Sequence, residues 1–115
     1  MGTYLAIDIG GTKLAVGLVD DGGHALARAE RPTHRADPWP GLAALVTATL
    51  DGTSADRPVA VGVGCGGPMT AGGELVSPLN IPGWRDFPLR PRLAELTGLP
   101  VVVDNDAKAL ALGEG

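Results

Sequence analysis

Apolar residues come in short runs separated by glycine, proline and acidic clusters, and the runs change period along the chain. Tyr4 to Ile9 is apolar except for Asp8 and breaks on Gly10-Gly11; Leu14 to Val19 is apolar again and breaks on Asp20-Asp21-Gly22-Gly23. Runs of this length bounded by turn-formers predict strands, here two neighbours joined by a tight turn. His24 to Arg31, with Ala25, Leu26, Ala27 and Ala29, predicts a third, half-exposed strand. Pro32 to Pro38 is a loop. Asp37 is a suitable N-cap, with Pro38 at the first helical position. Leu42, Leu45, Val46 and Leu50 then recur at helical spacing, so a helix should run to about Leu50.

Val59 to Gly64 reads as a buried, parallel-type strand led by Pro58 and closed by the glycine-rich corner Gly64-Cys65-Gly66-Gly67-Pro68. Met69 to Val76 predicts a small hairpin turning at Ala71-Gly72-Gly73, and Ser77 to Trp84 a loop. In that loop Asn80 and Trp84 could face a sugar ring, or Trp84 could anchor the loop in the core with Asn80 bonding nearby. Leu89, Leu93 and Leu96 predict a short helix with Pro91 in its first turn, Gly98 at its C-terminal end and Pro100 beyond. Val101 to Val103 is another buried strand, ended by Asp104-Asn105-Asp106, and Ala107 to Leu112 begins a helix. Three strands, helix, strand, helix, strand, helix is an α/β order with one sheet.

Composition narrows the chemistry. Aromatics are only 3% of 115 residues, so the core must be Ala, Val, Leu and Ile. The net charge of −4, without a basic run, argues against nucleic acid as a partner. A single cysteine, Cys65, precludes an internal disulfide and fits a reducing, cytoplasmic location. No signal peptide opens the chain, and no apolar stretch is long enough for a membrane.

In α/β sheets ligands bind outside the carboxyl ends of strands. The Gly10 turn, the Gly64–Pro68 corner and the Asp104–Asp106 end all fall there. Gly10 and Gly11 can take positive φ and bring backbone amides to an anion, Thr12 and Lys13 add a hydroxyl and an ammonium, and Asp8 could hold hydrated Mg²⁺ beside it. An ordinary hairpin turn fits the stretch Ala6 to Lys13 as well. The spacing is neither a Walker loop nor the dinucleotide fingerprint. Asp104 and Asp106 fit helix N-capping, and equally a division in which one caps and the other accepts a hydroxyl proton in phosphoryl transfer.

Asp8-Ile9-Gly10-Gly11-Thr12-Lys13, Gly62-Val63-Gly64 followed by Gly67-Pro68, Asn80-Ile81-Pro82-Gly83-Trp84, and Asn105-Asp106-Ala107 with Gly113-Glu114 together resemble bacterial sugar kinases of the ROK family, the ROK glucokinases most of all. The resemblance implies an actin-like, ribonuclease-H-like ATPase fold, with residues 1–115 as its N-terminal lobe. It implies Asp8 near Mg²⁺; Gly10, Gly11, Thr12 and Lys13 along the phosphates of ATP; Gly67, Asn80, Asn105 and Asp106 on the hexose; and Asp106 as general base. Proline is usual in the family where Gly66 stands. The family's Glu-x-Gly-His motif, zinc-binding cysteines and adenosine loops would lie after Gly115, in a C-terminal lobe. Two activities are open: an ATP-dependent hexose kinase acting on O6 of glucose, homo-oligomeric when whole, or a sugar-sensing transcription regulator built on the same lobe. The lobe alone is expected to be inactive, because phosphoryl transfer is largely positioning and only half of the positioning groups are present.

Overall fold

A computed structural model describes residues 2–20, 22–34, 36–51, 58–65, 74–78 and 81–104. Five strands and two helices follow one another as β1 (Thr3–Ile9), β2 (Lys13–Asp20), β3 (Ala25–Pro32), α1 (Trp39–Asp51), β4 (Pro58–Cys65), α2 (Leu89–Thr97) and β5 (Val101–Asp104). They build one sheet in the order β3-β2-β1-β4-β5. The β1–β2 and β2–β3 pairs are antiparallel, whereas β1–β4 and β4–β5 are parallel. The predicted Met69–Val76 hairpin and the helix from Ala107 fall largely or wholly outside the described residues.

Alternation along the strands decides which face is the core. Leu5, Ile7 and Ile9 on β1, Leu14 and Val16 on β2, Val61, Val63 and Cys65 on β4, and Val101 and Val103 on β5 form one buried cluster. Leu42 and Val46 of α1 and Leu89 and Leu93 of α2 close over it. The aliphatic core inferred from composition is therefore present, with one aromatic exception. Trp84 is 1% exposed and lies flat on Phe87, ring centroids 4.2 Å apart and 4° from parallel. Trp84 is the loop's anchor, and the alternative in which it faces a sugar is closed, because its ring is spent on the core.

Val76 and Phe87 fasten that loop by exchanging backbone hydrogen bonds of 2.9 Å each way. Arg85 donates from Nη1 to the carbonyl oxygens of Pro78 (3.1 Å), Ile81 (3.3 Å) and Trp84 (2.6 Å), gathering the chain on either side of residue 80.

Two local expectations shift. The first i to i−4 bond of α1 runs from the Leu42 N–H to the Pro38 carbonyl, 2.9 Å, so Pro38 takes the cap position and Trp39 the first helical one. Asp37 instead closes a turn, its N–H donating to the His34 carbonyl at 3.1 Å. The third strand is exposed along nearly its whole length and not half-buried, because it is the sheet edge and α1 reaches only part of it. The C-terminal end of α2 is as predicted: Gly98 has φ 71° and donates its N–H to the Ala94 carbonyl at 2.8 Å.

Leu93 is fully buried on α2, while Leu96 on the same helix is 36% exposed. Leu93→Ala should lower the unfolding free energy by about 2–5 kcal/mol and Leu96→Ala by ~1 kcal/mol or less. Urea unfolding of both variants checks this, and equal losses would contradict the assigned face.

Candidate functional site

The first structural element of the candidate site is the connection between β1 and β2. Ile9 pairs with Leu14, and the next step is closed by the Gly10 N–H donating to the Lys13 carbonyl at 3.1 Å. A Cβ on residue 10 would stand 3.2 Å from that carbonyl oxygen, closer than nine in ten real contacts of its kind. Gly10 is thus favoured by close approach, and no positive φ is involved there. The turn is also tied from outside. The Thr33 N–H donates to the Thr12 carbonyl at 3.0 Å, and Thr33 Oγ1 donates to the Gly10 carbonyl at 2.8 Å. Thr33 carried no signal in the sequence, since its role depends on β3 returning beside β2.

Asp8 lies at the carboxyl end of β1, half-buried, two residues before the turn. It pairs with Ala15 of β2 on one side and with Gly64 of β4 on the other, and Gly64 pairs in turn with Asp104 of β5. Asp8, Gly64 and Asp104 therefore form one row across three parallel strands. With strands ~4.8 Å apart, the backbones of the two aspartates are separated by roughly 10 Å. This is the common edge anticipated from the three motifs.

Lys13 is not an isolated cation. Its Nζ lies 3.4 Å from Glu30 Oε2, an acceptor that Arg28 also binds from the same strand. The hydrogen bond from Arg28, and then the charge of Lys13, hold the Glu30 carboxyl below its ordinary range. Thr12 and Lys13 are both exposed, beside a depression of about 320 Å³ bordered by Glu30, Arg31 and Pro32.

Four of the predicted sugar and catalytic residues, Gly67, Asn80, Asn105 and Asp106, lie outside the described residues. Asp8, Gly10, Gly11, Thr12 and Lys13 lie together at the end of β1 and in the turn that follows it. Among the described residues no group of three or more His, Cys, Asp or Glu could hold a metal. Of the residues at the turn, Asp8 supplies a carboxylate, the type of oxygen donor that Mg²⁺ takes together with water and phosphate oxygens. Among the described residues, no helix is long and apolar enough to cross a membrane.

Cys65 ends β4 beside Asp8. Burial first, and the negative charge of Asp8 second, push its thiol up to about 12. The folded state holds this proton while the unfolded chain releases it near 9.0, so the contribution of Cys65 to stability falls as pH rises from about 9 towards 12.

The ROK family profile matches residues 4–115. An N-acetylmannosamine kinase of Citrobacter koseri is 40% identical over 113 residues, 96% of this chain and 38% of its own length. The crystal structure of a ROK family glucokinase from Streptomyces griseus in complex with glucose and AMPPNP superposes with a TM-score of 0.77 at 37% identity, covering 98% of this chain and 36% of that one. A ROK family transcriptional regulator, homologous to the E. coli MLC protein, superposes with a TM-score of 0.77 at 25% identity, covering 97% and 30%. The chain spans about a third of the length of the curated relatives it matches.

At pH 8 the native protein should react with iodoacetamide at Cys65 roughly a thousandfold more slowly than the urea-unfolded chain, because burial and a raised pKa both suppress the thiolate. Equal rates, followed by mass spectrometry, would contradict this environment.

Proposed function

The chain belongs to the ROK family, and on that premise we propose that it forms the N-terminal, nucleotide- and sugar-binding lobe of an ATP-dependent hexose kinase. The sheet, with its order β3-β2-β1-β4-β5, has the actin-like ATPase fold of the ROK sugar kinases. The observation that carries the proposal is the row Asp8–Gly64–Asp104 at the carboxyl ends of parallel strands, with the Gly10–Lys13 turn directly after β1. Strand ends of this kind are where α/β sheets bind ligands. The glucokinase solved with glucose and AMPPNP and the N-acetylmannosamine kinase relative support a hexose acceptor and ATP as donor.

In this reading the backbone of Gly10, Gly11 and Thr12, with the Lys13 ammonium, lines the phosphates. Asp8 would hold Mg²⁺, which when bound would supply positive charge beside the transferring phosphate. Gly67, Asn80, Asn105 and Asp106 contact the sugar. The acceptor hydroxyl, taken as O6 of glucose, forms a bond to the γ-phosphorus while the bond to the ADP oxygen breaks, and the hydroxyl proton passes to the Asp106 carboxylate. Zinc belongs to the C-terminal lobe in this reading, and the whole enzyme acts in the cytoplasm as a homo-oligomer.

A second reading, a sugar-sensing regulator, draws on the structural likeness to the MLC homologue. The two separate on turnover, because a regulator binds hexose without consuming ATP.

Asp106→Asn in the full-length protein should reduce kcat by ~10²–10⁴ and leave hexose affinity within about tenfold, since the amide keeps the shape but takes no proton. Activity within a few-fold of the unsubstituted protein would remove Asp106 from its role. Asp8→Ala should weaken use of MgATP and spare glucose affinity. Loss of glucose binding with MgATP use unchanged would contradict the metal assignment. Hexose binding without any phosphorylation by the unsubstituted protein would favour the regulator.

A further inference from the structure

An anion-binding turn must present amide N–H groups and keep its carbonyl oxygens away, because an inward carbonyl sets a negative partial charge against the phosphate. Three carbonyls of the β1–β2 turn are accounted for. That of Lys13 accepts the Gly10 N–H, and those of Gly10 and Thr12 are both taken by one residue just beyond β3, Thr33. Thr33 is half-buried and is the first residue after β3. Its neighbour Pro32 has no N–H, so the backbone bond to Thr12 is one that β3 makes only by reaching position 33.

The hydroxyl bond adds something the sheet ladder does not. A peptide unit is planar and trans, so drawing the Gly10 carbonyl towards Thr33 points the following N–H in the opposite direction within the same plane. The same holds for the Thr12 carbonyl and the amide that follows it. One side chain and one backbone N–H thereby fix the orientation of two peptide units in the turn. On the nucleotide reading above, on which this rests, we infer that Thr33 is a positioning residue for the phosphates of the nucleotide. It touches no ligand itself and acts by holding the Gly10 and Thr12 carbonyls away from the anion. Thr33→Val removes the hydroxyl at nearly constant shape and leaves the Gly10 carbonyl without that donor; Thr33→Ser restores the donor.

The test is calorimetric titration of the full-length protein with MgAMPPNP and, separately, with glucose. Thr33→Val should raise the MgAMPPNP dissociation constant about fivefold or more, as expected for one lost hydrogen bond in a partly buried site. Glucose affinity should stay within about twofold, and Thr33→Ser should bind MgAMPPNP within about twofold of the unsubstituted protein. If the valine variant does not fold, Thr33→Ala reads the same loss. Nucleotide affinity unchanged without the hydroxyl, or lost equally in the serine variant, would overturn the inference while leaving the nucleotide reading intact. No MgAMPPNP binding by the unsubstituted protein would overturn both.

Discussion

β1 is hydrogen-bonded on both sides, antiparallel to β2 and parallel to β4, and the rest of the molecule is laid out from that central strand. The antiparallel side permits a return of only a few residues, which brings Gly10 to Lys13 within hydrogen-bonding distance. The parallel side needs a crossover, and α1 and then α2 lie in the connections that set β4 beside it and β5 beside β4. A central strand with neighbours of both senses therefore puts a tight hairpin turn and two parallel strand ends at the same edge. Asp8 sits where these meet, in register with Gly64, which is in register with Asp104.

Packing and chemistry divide between the two faces of the strands. Leu5, Ile7 and Ile9 point into the core beneath the helices, and the alternate positions Tyr4, Ala6 and Asp8 point the other way. A one-residue slip of β1 would bury Asp8 and expose Ile7, so the apolar core fixes the register that presents the acid. The Thr33 bonds extend this control to the turn, beyond the last ladder pair of β1 and β2.

The apolar runs made most of the fold readable. Val101–Val103 and Val59–Gly64 are valine-rich and bounded by turn-formers, and Leu89 and Leu93 mark the buried face of α2, which Thr97 and not Leu96 completes. What could not be read depends on contacts distant in sequence. Ala25, Leu26, Ala27 and Ala29 are apolar enough for a half-buried strand, yet β3 is an edge and stays exposed. Trp84 carries no periodicity, and its burial in one cluster with residues of the strands and helices decides between the two alternatives it offered. Of the site, the Asp8–Lys13 turn was legible because glycine and a lone acid interrupt an apolar run. The Lys13–Glu30 pair and the Thr33 tether were not, since both require the return of β3 alongside β2.

The central claim is that the carboxyl ends of β1, β4 and β5, with the Gly10–Lys13 turn, form the nucleotide-binding edge. Backbone amide NMR during titration with MgAMPPNP tests it most directly. The account predicts shifts concentrated at Asp8, Gly10 to Lys13, Gly64 and Asp104, with the β2–β3 turn at Gly22–His24 unchanged. Shifts centred on Tyr4 and Val102 on the open face of the sheet, with the Gly10 turn silent, would contradict it.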